Sequence, residues 1–242
     1  MPRSKHRPHG EFLRTALGAS ASGVVGLVMA TAFVSAPIDP ELLDYRPVAS
    51  VKIYDRQGRL LRELRGSEGR STPLTPAQIP EAVRVAFLAA EDKGFMAHHG
   101  LSPTSILRAL LQNLKAGRVV AGGSTITQQL ARTLVPRERS VVGKAQEALW
   151  ALRLEAHLSK EEIFTQYLNR VPFGNNTVGI EAASQLYFGK SAHEVSLAQA
   201  AMLAAVPRGP SAYNPYRAQK KLEARRQWVL SRLQANGFAD AH

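Results

Sequence analysis

The chain has no cysteine among its 242 residues. This excludes a disulfide framework and a thiolate metal site, so stability comes from packing and no redox compartment is required. The histidines fall in neither HxxxH nor HExxH spacing, so His98 and His99 read as structural and no metal ligand set is expected. A phosphate-binding loop of the GxxxxGKS/T type is missing, as are internal repeats and low-complexity tracts. Acids are scarce: 19 Asp and Glu stand against 31 Lys and Arg, for a formal net charge of +12.

What is present is enough for a folded domain, because 45% hydrophobic content buries a core in a chain of this length. The positive excess runs through the whole body and favours an anionic partner: nucleic acid, an anionic membrane surface or a phosphorylated substrate. Residues 1–14 form a basic tail. Residues 15–38 carry no charge, and twenty helical residues at ~1.5 Å each cross a ~30 Å hydrocarbon core. The alternative is a cleaved signal peptide, with VSA before Pro37 as its small-residue site. Proline directly after the cut and the length of the run favour an uncleaved single-pass anchor. The basic flank puts the tail in the cytoplasm and the remainder outside. Nucleic acid then fits poorly, because most basic residues lie on the outer side.

Residues 39–69 read as a linker and a β-hairpin, VKIYDRQGRLLREL, around a turn at Asp55 to Gly58. From residue 70 to 242 the pattern is helical, with eight apolar-periodic segments separated by glycine and proline. The C-terminal KKLEARRQWVLSRL is expected to pack Leu222, Val229, Leu230 and Leu233 inward and to present a solvated basic face.

Three places carry chemistry. In EDKGFMAHHG, Glu91 continues the stripe of Val83 and Phe87 toward the core; desolvation there raises a carboxyl pKa and makes a proton acceptor near neutral pH. The plain alternative is a helix-terminal acid paired with Lys93 or His98. GGSTITQQ offers a flexible loop, Gly122 and Gly123, feeding a capped helix start at Ser124 and Thr125, where Gln128 and Gln129 join backbone N–H groups able to hold anions or sugar hydroxyls. Arg132, Arg137, Arg139 and Lys144 surround the approach to a helix that is apolar almost all round and expected to be buried. Glu147 on it is either a functional acid or the i+3 partner of Lys144.

In this order, EDKGFMAHHG, GGSTITQQ, GKAQE and YLNRVPFGNNTVGIEAAS resemble the signature of the peptidoglycan glycosyltransferases. These are the transglycosylase modules of class A penicillin-binding proteins and the monofunctional biosynthetic transglycosylases. The resemblance covers roughly residues 70–235. It implies a mainly α, lysozyme-like glycosyltransferase domain that polymerises lipid II into β-1,4-linked glycan strands with inversion and release of polyprenyl pyrophosphate. It makes Glu91 the base for the acceptor 4-hydroxyl and Glu147 the second essential acid. Asp92 is the adjacent acid, and Phe95, His98 and Gly100 are framework. The donor groove takes Arg108, with Ser124, Gln128 and Gln129 from the loop and Arg132, Arg139 and Lys144 as cations. Asn169 and Gly174 belong to a mainly structural motif.

Two departures stand out: Gly143 replaces the arginine of the usual Arg-Lys pair, and Gln146 stands where some members have lysine. No cofactor is firmly implied; a divalent cation, magnesium or manganese, is left open, and no DxD motif exists. No SxxK or KTG supplies a transpeptidase nucleophile. Implied partners are lipid II, the growing glycan strand, the cytoplasmic membrane and other cell-wall synthesis proteins. The rival readings are a lysozyme-like lytic enzyme and an inactive membrane-anchored scaffold.

Overall fold

A computed structural model describes residues 23–45, 51–64, 71–118 and 122–238. The described chain is mainly helical. Helix α1 covers residues 23–35 and α2 Pro40–Leu43, before the hairpin of β1 (Val51–Tyr54) and β2 (Leu60–Leu64). The helices that follow are α3 (Glu81–Glu91), α4 (Pro103–Ala116), α5 (Ile126–Leu134), α6 (Val141–His157) and α7 (Lys160–Arg170). A second antiparallel pair, β3 (Pro172–Gly174) and β4 (Thr177–Val178), precedes α8 (Ile180–Phe188), α9 (Leu197–Ala205) and α10 (Gln219–Ala235).

Helix starts follow local chemistry. Ser102 accepts from the Ser105 amide with Pro103 at the first helical position. Thr125 with Gln128, Ser159 with Glu162 and Ser196 with Gln199 form capping boxes for α5, α7 and α9, each satisfying amides that have no partner inside the helix.

Helix α3 lies in the core against α9 and α10, while α5 packs on α6 and α7. Alanines 200, 201, 204 and 205 of α9 are buried, and their small side chains let α3 approach closely with Val83, Ala86 and Phe87. Phe87 then joins the halves, its ring meeting Tyr167 at 6.3 Å and Phe173 at 6.2 Å, both edge-on. Sealing each such ring from water contributes about 1.5–3 kcal/mol.

The hairpin forms where the sequence places it. Asp55 builds its turn, accepting from the amides of Gln57 (2.9 Å) and Arg59 (2.8 Å); those bonds, with the Arg59 backbone bond foremost, hold its carboxyl below the usual range. One expectation falls partly outside the described residues and another changes. Of the 15–38 segment, residues 15–22 lie outside the described residues, and no helix among those described is long and apolar enough to cross a membrane. Helix α6 is not buried all round: Gly143, Glu147, Ala151 and Leu154 are its buried stripe. Leu149, Trp150 and Leu152 are only half-buried, because their cover is the end of α1, where Phe33 meets the Trp150 ring edge-on at 5.3 Å. Residues 172–178 make the β3–β4 hairpin, which the sequence reading did not anticipate; Asn175 and Asn176, both at positive φ, turn it.

Candidate active site

A cleft of about 430 Å³ opens between the end of α3, the start of α5, α4 and α10. Glu91 ends α3 in it. The residue is half-buried, but its Oε1 is buried with no hydrogen-bond partner, while Oε2 accepts from Gln129 Nε2 at 2.9 Å. Gln129 Oε1 in turn accepts from the buried Tyr167 hydroxyl at 3.5 Å. Burial pushes the Glu91 carboxyl above its ordinary range; the Gln129 bond and the charges of Arg225 and Arg208 oppose that rise, and Asp92 adds to it. Tyr167 is pushed well up by burial and by Glu91, so it stays a neutral donor.

Asp92, next in sequence, has a different job. Its buried Oδ2 accepts from the Ile126 amide at 3.0 Å and pairs with His98 Nε2 at 2.9 Å, tying the end of α3 to the positive start of α5. Thr125 Oγ1 donates to Gly100 O at 2.6 Å. Gly100 has φ +83°, and a Cβ there would sit 2.9 Å from Ala151 O on α6. Phe95 is sealed against Phe164 at 6.0 Å. The framework residues of this motif thus fix where Glu91 points relative to α5 and α6.

The loop before α5 closes on α4, since a Cβ on Gly123 would meet Ile106 Cα at 2.8 Å. Ser124, Gln129 and Arg132 reach the cleft wall together with Gly122, Arg108 and Gln112. Gln128 is buried in the capping box and does not line the cleft. Glu147 lies behind the loop. Its ion-pair partners are Lys144 and Arg137, not Arg132 or Arg139. Lys144 Nζ also donates to Ser124 Oγ at 2.8 Å, so Glu147 touches the cleft through Lys144 and Ser124. Arg139 is exposed and outside the lining. Asn169 binds both backbone groups of Leu74, at 2.9 and 2.8 Å, and Gly174, at φ +79°, lies where a Cβ would be 3.1 Å from Pro210 O. That places it under the 207–210 turn, whose Pro207 and Arg208 line the cleft. Among the described residues no cluster of acids and histidines that could hold a metal ion is assembled.

The opposite wall was not anticipated as part of the site. Arg208, Arg225, Trp228 and Arg232 line it, and α10 presents the last three on one face at spacings of three and four. The Arg225 guanidinium lies 3.7 Å from the Trp228 ring centroid, and its Nε is buried without a partner. Burial and then Arg208 pull Arg225 down to about 10, and burial with Arg108 lowers Arg232. Cations that depress one another in a concave site are arranged for an anion to neutralise them.

A family profile described as Transglycosylase matches residues 57–234. The chain is 43% identical over 202 residues to penicillin-binding protein 1A of Aquifex aeolicus, covering 83% of this chain and 28% of the relative. It is 42% identical over 191 residues to penicillin-binding protein 1A of Pseudomonas aeruginosa, covering 78% and 23%. The crystal structure of penicillin-binding protein 1A from Haemophilus influenzae aligns at 25% identity with a TM-score of 0.44, covering 81% of this chain and 20% of that one. The chain spans about a quarter of the length of the curated relatives it matches. On the profile and these identities, the chain belongs to the transglycosylase family and is a glycosyltransferase.

Proposed function

We propose that the chain is a peptidoglycan glycosyltransferase that polymerises lipid II, with Glu91 as the base. The observation that carries this reading is one juxtaposition: a buried, unpartnered carboxylate oxygen in a cleft walled by Arg108, Arg132, Arg208, Arg225 and Arg232. An acid that holds its proton above the usual range, beside a surface made for polyanions, suits a hydroxyl acceptor and a pyrophosphate donor together.

The acceptor 4-hydroxyl gives its proton to Glu91 Oε1 as its oxygen attacks the anomeric carbon of the donor. The bond from that carbon to the pyrophosphate breaks on the far side, so an α-linked donor becomes a β-linked glycan in one inverting step. The leaving pyrophosphate carries away the electron pair, and cations aimed at that growing charge lower the barrier. Arg132 and the Lys144–Ser124 contact supply the donor side in this reading. Arg208, Arg225 and Arg232 hold a second anionic group. When that group neutralises Arg208 and Arg225, the charges holding the Glu91 pKa down are cancelled, so binding itself makes Glu91 a stronger base.

A lytic enzyme also needs a carboxyl with a raised pKa, but neutral glycan gives five arginines no anion to hold. The anchor reading of residues 15–38 goes with this function, with the catalytic domain outside the cytoplasmic membrane. Incubating the purified chain with labelled lipid II decides it: long glycan is expected. Soluble fragments from finished peptidoglycan, with no polymer from lipid II, would establish the lytic reading instead.

A further inference from the structure

Glu147 is buried on the core-facing stripe of α6, its side chain 0% exposed. A carboxylate in that position is held in place only if cations and donors occupy both oxygens. Lys144 takes Oε1. Oε2 is held by an arginine from outside the helix: Arg137 Nε donates to it at 2.8 Å and Nη2 lies at 2.7 Å, with the guanidinium side chain 14% exposed. The third nitrogen, Nη1, donates to Glu138 O at 2.9 Å, so the fork is also fixed to its own backbone.

This arrangement depends on a missing side chain. Gly143 lies one turn before Glu147 on the same buried stripe. A Cβ there would fall within the van der Waals shell of Glu138 O and 3.3 Å from Arg137 Cδ. The 137–138 backbone therefore lies directly on α6 only because residue 143 is glycine. We propose that Arg137 is the positioning residue that supplies the second cation on Glu147, and that Gly143 is the gap that admits it. The cation absent from position 143 is delivered six residues earlier in sequence. Its action runs through Glu147 to Lys144, and from Lys144 Nζ to Ser124 Oγ at 2.8 Å, on the cleft wall. Losing Arg137 frees one carboxylate oxygen, lets Glu147 turn, and shifts Lys144 and Ser124 from the donor. This rests on reading the cleft as a glycosyltransferase site.

The test uses the full chain with labelled lipid II, with rates taken per folded protein and thermal unfolding run alongside. Misplacement by ~1 Å costs up to ~10²-fold, so Arg137→Ala should lower kcat by roughly 10- to 100-fold with KM changed less than about threefold. Arg137→Lys, which keeps charge but not the fork, should fall between. Should Arg137→Ala fail to fold, the lysine variant carries the test, and wild-type kcat from it overturns the proposal. Gly143→Ala should lose activity in the same way. Because both act on one contact, the double variant should be no worse than the poorer single variant. Folded Arg137→Ala turning over within about twofold of wild type, or single losses that multiply, overturns the proposal while leaving the function intact. A wild-type chain inactive on lipid II, or a Glu91→Gln chain that polymerises normally, sinks the glycosyltransferase reading and this proposal with it.

Discussion

Glu91 carries two opposed demands. In the proposed role of base it must be ionised, yet its burial favours the protonated form. A folded-state pKa raised above the unfolded value means that the stability Glu91 contributes is present below the unfolded pKa and is lost as pH rises through the folded one. At neutral pH the ionised, half-satisfied carboxylate therefore costs stability. Glu91→Gln keeps an oxygen for the Gln129 bond and removes the buried charge, so it should melt at a higher temperature than wild type at pH 7. Polymerisation should meanwhile fall by ~10²- to 10⁴-fold, the usual worth of general-base assistance. A melting temperature that drops, or activity that survives, would each contradict this account. The same carboxylate sets the pH profile: kcat/KM should rise with pH through a midpoint above the ordinary glutamate value of 4.5, and an acid limb at or below it would remove Glu91 as the titrating base. Gly100 is fixed by geometry rather than charge. Alanine there must hold φ +83° with its Cβ 2.9 Å from Ala151 O, and strain of about 1–3 kcal/mol should appear as a lowered melting temperature.

At the scale of elements, α10 is where reading the sequence and reading the fold part company. Of its expected inward residues, Leu222, Val229 and Leu233 are buried, and Leu230 is partly buried against the same core. The basic face was expected in solvent, because a run of lysines and arginines on a helix usually is. Yet Arg225, Trp228 and Arg232 share a face, a signal already in the sequence, and only the packing of α10 on α3 and α9 turns that face into the cleft. The eight helices described from 81 onward were legible because apolar periodicity and glycine or proline breaks agree along the chain, with side-chain caps adding to the signal at α4, α5, α6, α7 and α9. Glu91 was legible for the same reason, through Val83 and Phe87. The pairing of Glu147 with Arg137 was not, since sequence spacing sees the i+3 lysine and cannot see an incoming loop. The burial of α6 was overestimated because composition does not say which neighbour covers a face. Arg225 gives a prediction of its own. Its folded pKa is depressed to about 10, so its charge is destabilising until an anion arrives. Inorganic pyrophosphate should raise the wild-type melting temperature, and Arg225→Ala should blunt that rise while melting higher without the ligand. Equal shifts in the two proteins would take Arg225 out of the anion site.

For the whole molecule, the proposed function sets a constraint: a polyprenyl donor would keep its tail in the bilayer while its pyrophosphate lay in the cleft. The cleft mouth must therefore sit close to the membrane surface, and the chain has features that would hold it there. A net charge of +12 favours anionic lipid headgroups. Helix α1 exposes Val24, Val25, Leu27, Val28 and Met29, and its end is fixed to α6 by Arg153, which donates to Ala36 O at 3.0 Å and lies 4.7 Å from the Phe33 ring centroid. Helix α4 places Arg108 and Gln112 on the cleft wall while Ile106, Leu107, Leu110, Leu111 and Leu114 stand exposed, a one-sided apolar face of the kind that marks a membrane or protein contact. If that face meets lipid, its loss matters only where a bilayer is present. Leu107→Ser with Leu111→Ser should leave thermal unfolding nearly unchanged, because both side chains are already exposed, and should leave polymerisation of detergent-dispersed lipid II near wild type. On lipid II in anionic vesicles the same variant should be slower by several-fold, roughly what removing two leucines' burial at ~1.5–3 kcal/mol each would cause if only part of each inserts. Equal losses in detergent and in vesicles would place the defect in the cleft rather than at the membrane.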